Sequence, residues 1–365
     1  MNILLKFKKI FFPVYVFFLK IYLLPQKINF YLQNKYEINI INKNLDKYDG
    51  VVGVYNLNIY KEPFSVGEFC YFILFYRYFA VSNKKVSLYF IKKDKYHNNF
   101  KTSLSLKKQK QFIKWYFQIS KILIGKKLIK IDYISWKNFK KKKFHNMYMP
   151  YKDRVMKQEQ IREFFVAMLN PLLKNKPKSF LKNFLLNKKT LQKYHSNKFP
   201  KNKYVTWHIR KSQTWTKERN LEESDILTVY QSIKKKFKDM KIVIISDRYG
   251  CNFVKRIDKK FNLKLLYCKD LGSSFKDMGS SLLSDFHLVL NSQCFLAFKG
   301  GGLICAAEFS TTPFFCAWTL GLKNQLKNDR FVDINKTQIW HKKNQVWVNS
   351  KHIESFKEKI KEYKV

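Results

Sequence analysis

Acidic residues are scarce in this sequence, with 26 Asp and Glu against 72 Lys and Arg among 365 residues. No Asp-x-Asp motif occurs, so the chain lacks the acidic pair that commonly holds a divalent cation on a diphosphate. Its six cysteines include no Cys-x-x-Cys pair and no histidine at finger spacing, which excludes a zinc module. Several cysteines lie in apolar runs, as free thiols do in a reducing compartment. We therefore expect no metal site, no disulfide framework and no secretion.

The large basic excess has two interpretations. Only eight of the 72 basic residues are Arg, and the abundant lysines are consistent with side chains that merely cover a solvated surface. Alternatively, the formal charge of +46 holds the protein near anionic lipid or another polyanion. The lysine clusters at 107–110 and 140–143 are short and far apart, whereas nucleic-acid binding favours basic residues gathered on one element among aromatics. We predict no nucleic-acid partner.

Residues 1–49 form an apolar and basic segment ahead of the first regular strand. The run at 10–24 is apolar except for Lys20, but its 15 residues fall short of the roughly 20 that span a bilayer, and Pro13 interrupts it. Basic residues precede the run, as in a signal peptide, yet no small-residue cleavage site follows. Two alternatives stay open: a helix that covers the core, or an interfacial helix whose basic flanks contact lipid headgroups. The second predicts a cytoplasmic protein held peripherally on the inner face of the membrane.

Residues 50–199 are predicted to form a first Rossmann-like domain. A buried strand at Val51–Tyr55, a helix at Phe69–Val81 and a strand at Val86–Ile91 make one βαβ unit, which implies a parallel sheet. Ser65 is the expected N-cap of the helix, with Glu68 at the capping-box position. The rest of this half is mainly helical, and its polar end, at 188–203, is typical of an interdomain linker.

Residues 200–330 are predicted to form a second domain, because strands and helices alternate regularly there. This order is typical of an α/β fold with a doubly wound parallel sheet. The predicted strands are Tyr204–Arg210, Lys241–Ser246, Leu263–Cys268, Cys294–Phe298 and Phe314–Ala317. Residues 331–365 are predicted to be a tail with a helix.

Polar residues follow the predicted strands of the second domain, and doubly wound sheets bind ligands at the carboxyl ends of their strands. The guanidinium of Arg210 suits two phosphate oxygens, and three glycines before a helix let backbone N–H groups approach an anion. A histidine on a strand or a glycine triplet is individually more often structural, but together the residues predict a site for a nucleoside diphosphate. The candidates are His208, Arg210, Ser246, Asp247, Lys299, Gly300, Gly301 and Gly302.

The segment from 204 to 320 resembles GT-B fucosyltransferase-like glycosyltransferases. His208-Ile209-Arg210-Lys211 is similar to the His-x-Arg-Arg start of these enzymes, with Lys211 where a second Arg is frequent. Ser246-Asp247 and the segment at 298–303 follow in the family's order. Arg219-Asn220 ahead of an acidic helix start is similar to bacterial glycosyltransferases of surface-polysaccharide synthesis.

The resemblance implies a GT-B architecture, in which the second domain holds a nucleoside-diphosphate sugar and the first an acceptor. The implied reaction transfers the sugar to a glycan or lipid-linked acceptor in lipopolysaccharide, O-antigen or capsule synthesis, without metal or resident cofactor. Arg210 and His208 are the expected catalytic residues, while Lys211 and Arg219 join the donor-binding set. We further expect Glu68, at a helix start in the first domain, to be the general base, with a helix cap as the alternative.

Two other functions stay open at this stage. A non-catalytic protein that binds membranes or polyanions would explain the charge, although not the phosphate-suited residues at strand ends. A GT-B enzyme of the heptosyl or N-acetylglucosaminyl type would keep the architecture and change the donor.

Overall fold

Two parallel sheets organise the chain in the computed structural model. The structure describes residues 17, 21, 24–25, 28–58, 64–92, 105–153, 162–211, 220–298, 303–318, 345–349 and 353–363. Every strand pairing between named strands is parallel, in both sheets. The predicted α/β class with a parallel sheet in each half is therefore confirmed.

The first sheet has four strands in the order β3-β2-β1-β4. The strands are β1 (Gly50–Asn56), β2 (Lys85–Ile91), β3 (Leu128–Ile134) and β4 (Met147–Tyr148). All seven residues of β1 are buried, as expected for a parallel strand whose two faces are both covered. Val51 pairs with Val86 of β2 on one side and with Tyr148 of β4 on the other.

Helices surround this sheet, and one of them is buried on nearly every side. They are α1 (28–44), α2 (Val66–Val81), α3 (Leu106–Ile124), α4 (Trp136–Lys140), α5 (Arg162–Leu173) and α6 (Lys178–Phe184). In α2 every residue from Phe69 to Ala80 is buried except Tyr71, because the helix is apolar all round and packs against α3, α5 and α6.

A buried arginine ties α2 to the ends of two neighbouring helices. Arg77 donates hydrogen bonds to the carbonyl oxygens of Leu123, Asn183 (2.7 Å) and Phe184 (2.6 Å), in the last turns of α3 and α6. Helix carboxyl ends leave such carbonyls without intrahelical partners and carry partial negative charge. Desolvation lowers the pKa of Arg77 to about 10, so it stays a cation at neutral pH. The side chain therefore caps two helices at once.

The second sheet has six strands in the order β10-β9-β8-β5-β6-β7. The strands are β5 (Tyr204–His208), β6 (Lys241–Ile245), β7 (Leu266–Tyr267), β8 (Phe295–Phe298), β9 (Phe314–Trp318) and β10 (Gln345–Asn349). The helices are α7 (Glu223–Lys236), α8 (Arg248–Phe261), α9 (Cys268–Leu271), α10 (Met278–Asn291), α11 (Ile304–Glu308) and α12 (Ile353–Glu362). The chain runs outward in one direction from β5 and in the other from β8, as in a doubly wound sheet.

The structure differs from the sequence-based prediction in two segments. The predicted helix of the tail at 331–365 is confirmed as α12, which packs against α7, but the tail also supplies the unpredicted strand β10, which pairs with β9. It therefore completes the second domain. The predicted linker at 188–203 contains a 3-10 helix, Lys188–Tyr194, which packs against α10 and buries Leu191 and Tyr194.

Candidate functional site

The centre of the second sheet has the geometry of a ligand crevice. β5 and β8 are adjacent, and the strand order reverses between them. His208, the last residue of β5, lies level with Ile245 of β6 and Ala297 of β8. In open parallel sheets such a switch point leaves a crevice at the carboxyl edge, because the following loops diverge to opposite faces. The predicted residues of β5 and β6 therefore gather at this edge.

The histidine at this edge is neutral at physiological pH. The side chain is 8% exposed, and burial together with the charge of Arg210 lowers the pKa of His208 to about 4. Its Nδ1 atom is buried with no hydrogen-bond partner among the described residues. A neutral imidazole can donate and accept hydrogen bonds but contributes no charge toward an anion. Charge at this edge comes from the residues that follow.

The two basic residues after β5 have different surroundings. Arg210 is half-buried and close enough to His208 for its charge to affect the imidazole. The Lys211 ammonium contacts the carbonyl oxygen of Leu221 at 3.3 Å, and it lies 4.0 Å from the centre of the Phe253 ring. It is also 3.9 Å from a carboxylate oxygen of Glu222. In this structure Lys211 thus holds the start of α7 against α8.

Ser246 and Asp247 connect the carboxyl edge to the start of α8. The buried Ser246 hydroxyl donates to the carbonyl oxygen of Ile209 at 2.7 Å, which fixes the chain just after β5. Asp247 is exposed, and its Oδ1 accepts from the Gly250 N–H at 2.7 Å, as an N-cap. A Cβ at Gly250 would lie 2.0 Å from the Ser246 hydroxyl, so only glycine allows α8 to begin this close to β6.

Five predicted site residues lie outside the described residues. They are Arg219, Lys299, Gly300, Gly301 and Gly302. The last four stand in the sequence between the end of β8, at Phe298, and the start of α11, at Ile304.

Glu68 lies where the two domains meet. The first turn of α2 contacts the first turn of α11, with the Cys305 sulfur 3.9 Å from the carbonyl oxygen of Gly67. The Glu68 side chain is 7% exposed, and its charge helps to raise the pKa of Tyr116 on α3. Ser65 is in the N-cap position, but its side chain accepts no hydrogen bond from the helix, so the predicted capping box is wrong in that half.

Sequence reasoning missed a polar contact across the domain boundary. The hydroxyl of Tyr71 on α2 donates to Oε2 of Glu308 on α11 at 2.6 Å, and Glu308 is 1% exposed. The Tyr71 ring also meets Phe309 edge-on, with the ring centroids 5.4 Å apart. The backbone N–H of Leu186 donates to the Phe309 carbonyl at 2.7 Å. The sequence around Glu308 contains no pattern that would predict a hydrogen bond to a residue of the first domain.

Two further exposed residues lie at the carboxyl edge of the second sheet. Because Asp247 caps α8, the helix begins at Arg248, directly after it. Arg248 and Tyr249 therefore occupy its first turn, and Tyr249 is 42% exposed. The Ser-Asp pair at the strand end is a recognisable N-cap signal that could have placed this start.

The exposed surface at the start of α1 is apolar. Phe30, Asn34, Glu37 and Ile41 are buried against the first domain. Large apolar or aromatic side chains between 51% and 64% exposed lie in the first turns of α1 and at described positions before it: Phe17, Ile21, Leu24, Ile28, Tyr31 and Leu32. We call this set the α1 stripe. The three of them within the run at 10–24 are exposed, so they do not cover the core.

The described residues contain neither a cluster of metal ligands nor a membrane-spanning helix. No group of three or more His, Cys, Asp or Glu side chains there is arranged to hold a metal ion. In that part of the chain, no helix combines the length and the apolar character needed to cross a membrane.

The fold and the carboxyl-edge site define an α/β protein with two parallel sheets and a set of polar residues at the switch point of the second. Comparison with protein-family models, curated proteins and solved structures finds no match to this chain.

Proposed function

We propose that this protein is a metal-independent glycosyltransferase of the GT-B type, similar to the fucosyltransferase-like enzymes. Its donor is a nucleoside-diphosphate sugar, and its acceptor is a glycan or lipid-linked sugar of surface-polysaccharide synthesis. The observation that carries the proposal is the gathering of His208, Arg210 and the capped start of α8 at the switch point of a doubly wound sheet.

The donor diphosphate is assigned to the carboxyl edge of the second sheet. Arg210 supplies a cation, and the N-terminus of the 14-residue α8 adds backbone N–H groups and a positive helix end. His208, neutral and with a buried Nδ1, is assigned a hydrogen bond to the donor rather than a charge contact. The segment from Lys299 to Gly302, together with Arg219 and Lys211, completes the proposed donor site.

The proposed reaction is a substitution at the anomeric carbon of the donor sugar. An acceptor hydroxyl oxygen forms a bond to this carbon while the carbon–oxygen bond to the diphosphate breaks. The bonding electron pair leaves with the nucleoside diphosphate, and Arg210 stabilises the resulting negative charge. The acceptor proton passes to a base, for which we propose Glu68, because the first turn of α2 contacts α11 directly after the glycine segment.

A panel of donors tests this function. Thermal melting of the full chain is measured with UDP-, GDP-, ADP- and CMP-sugars, and we expect one nucleoside-diphosphate sugar to raise the melting temperature. Turnover with that donor should survive EDTA, since Arg210 replaces a metal ion in the proposal. No shift with any donor would favour the non-catalytic membrane-binding alternative.

We also propose that the protein docks peripherally on the cytoplasmic face of the membrane through the α1 stripe. Isolated apolar residues are common on protein surfaces, but six exposed apolar residues between positions 17 and 32 favour an interfacial segment. The formal charge of +46 adds attraction to anionic lipid. Docking would place the first domain next to a lipid-linked acceptor.

A further inference from the structure

A cavity of about 800 Å³ opens in the first domain beside α1, away from the second sheet. The segment 139–153 forms most of its wall, and α1 and Tyr48 form the rest. Aromatic rings make up much of the lining: Tyr36, Tyr48, Phe139, Phe144, Tyr148 and Tyr151. Three of these side chains, those of Phe139, Tyr148 and Tyr151, are less than 8% exposed, so the floor is rigidly packed and largely apolar.

The mouth of the cavity is basic. It is lined by Lys140, Lys142, Lys143, His145 and Lys152. Lys142 has a carboxylate neighbour, with its nitrogen 3.9 Å from an Asp132 oxygen. Lys140, Lys143 and Lys152 are exposed and form no ion pair with the described residues. Three ammonium groups without an ion pair among the described residues thus line an aromatic depression.

The two carboxylates in the lining do not neutralise this charge. Glu37 is 8% exposed, and it accepts hydrogen bonds from the Tyr148 hydroxyl and, at 2.8 Å, from the Tyr151 N–H. Its carboxylate is used to anchor α1, and burial raises the pKa of Glu37. Asp153 is exposed at the mouth. Four lysines therefore face two carboxylates, of which one is already engaged inside the protein.

The cavity is continuous with the α1 stripe. Tyr36 lines the cavity and is 65% exposed, and it follows Tyr31 and Leu32 by about one helical turn. The apolar surface of α1 therefore leads to the mouth of the cavity. A ligand that fills the cavity and also covers the α1 stripe would need an apolar chain joined to a compact anion.

We propose that this cavity binds the phosphate-bearing headgroup of a membrane lipid whose acyl chains lie along the α1 stripe. A phosphate monoester suits the site best, because it concentrates close to two negative charges on three oxygens. Lysine ammoniums bind such an ion as point charges, while the aromatic floor packs against the apolar part of the headgroup. The inference rests on the proposed docking of α1 and does not depend on sugar transfer.

Vesicle flotation of the full-length chain tests the cavity. The vesicles are phosphatidylcholine alone, phosphatidylcholine with phosphatidic acid, or phosphatidylcholine with phosphatidylserine at matched surface potential. The cavity variant carries Lys140→Gln, Lys143→Gln and Lys152→Gln. A control variant loses the same charge at exposed lysines of the second domain, through Lys201→Gln, Lys238→Gln and Lys259→Gln. Melting curves establish that both variants are folded.

We expect the wild type to prefer phosphatidic acid over phosphatidylserine. The cavity variant should lose this preference, with roughly tenfold weaker binding to phosphatidic acid, whereas the control variant should keep it. Equal losses in the two variants would mean that only overall charge matters and would overturn the cavity site while leaving α1 docking intact. Flotation of the wild type with none of the vesicles would overturn both.

A second experiment, without vesicles, distinguishes a site for a lipid phosphate from a site for a soluble phosphate. Glycerol 3-phosphate is added to the wild type without vesicles, and the melting temperature is followed. We expect no shift at concentrations where phosphatidic acid vesicles bind. A shift that the cavity variant lacks would show a site for a soluble phosphate and would overturn the assignment to a membrane lipid.

Discussion

The hydroxyl of Tyr71 donates a 2.6 Å hydrogen bond to the Glu308 carboxylate, and this bond joins α2 of the first domain to α11 of the second. The two helices begin next to the residues assigned to the acceptor base and to the donor loop. A fixed contact at this point determines how the two halves of the proposed active site face each other.

Replacing Tyr71 by Phe removes this donor and leaves a buried carboxylate less well satisfied. A hydrogen bond to a charged group contributes about 1.5–3 kcal/mol, so we expect the Tyr71→Phe variant to unfold in urea at a clearly lower midpoint. Tyr194→Phe is the control, since Tyr194 is a buried tyrosine whose hydroxyl has no hydrogen bond within the described residues. Similar midpoints for the two variants would contradict a stabilising role for the contact.

Replacing Arg210 by Ala should nearly abolish sugar transfer while the fold is kept. Loss of one group that stabilises developing charge typically lowers the rate about 10²–10³-fold. The measurement is steady-state turnover with the donor that the melting panel identifies. Arg256→Ala serves as the control, because Arg256 is exposed on α8. Undiminished turnover in the Arg210 variant, with unchanged donor affinity, would remove Arg210 from the mechanism.

The buried imidazole of His287 predicts a loss of stability in acid. Burial, with the charges of His195 and Lys188, lowers the pKa of His287 from 6.5 to about 4. Above pH 6.5 the ring is neutral in both the folded and the unfolded chain. As the pH falls further, the unfolded chain binds the proton first, so stability declines until roughly pH 4.

Thermal melting between pH 7.5 and pH 4.5 measures this effect, with the His287→Phe variant as the comparison. Phe keeps the aromatic contact with Phe199, whose ring lies 5.9 Å from that of His287. We expect a shallower decline in the variant, although His208 continues to contribute to it in both proteins. Parallel curves would show that the pKa of His287 is the same in the folded and the unfolded chain.

Polar substitutions in the α1 stripe should weaken membrane binding. Ile28→Ser with Leu32→Ser removes two exposed apolar side chains, and we expect roughly tenfold weaker flotation with anionic vesicles, even at high salt. Leu106→Ser with Ile129→Ser removes two exposed apolar side chains from other elements and should have no effect. Equal flotation of the two double variants would exclude the stripe as the docking surface.

The sequence predicted the parts of the fold that have a strong pattern. The β-branched run at Val51–Tyr55 and the turn before it place β1 within one or two residues. In contrast, β10 was missed, because its partner β9 ends near Trp318 and the strand follows only at Gln345. No pattern in the sequence of β9 or β10 predicts that the two strands pair, because pairing depends on how the chain between them folds.

The candidate site was predicted less completely, because side-chain partners depend on the assembled fold. His208 and Arg210 could be placed at a strand end from periodicity alone. The contact of Lys211 with Phe253 comes from α8, a later element of the chain, so the sequence around Lys211 does not distinguish it from an anion-binding lysine. Glu68 occupies a helix start, as predicted, yet its burial depends on α3 and α11. The GT-B family assignment stays a prediction.

The packing of α12 on α7 can form only after the whole second domain has been synthesised. Lys236 at the end of α7 donates a 3.0 Å hydrogen bond to the Lys361 carbonyl, and Ile360 and Tyr363 are buried. More than a hundred residues separate the two helices in the sequence, and ribosomes add about 5–20 residues each second. For roughly ten seconds after α7 has been synthesised, therefore, the surface that α12 will cover is exposed. A chaperone that recognises apolar surface would bind there.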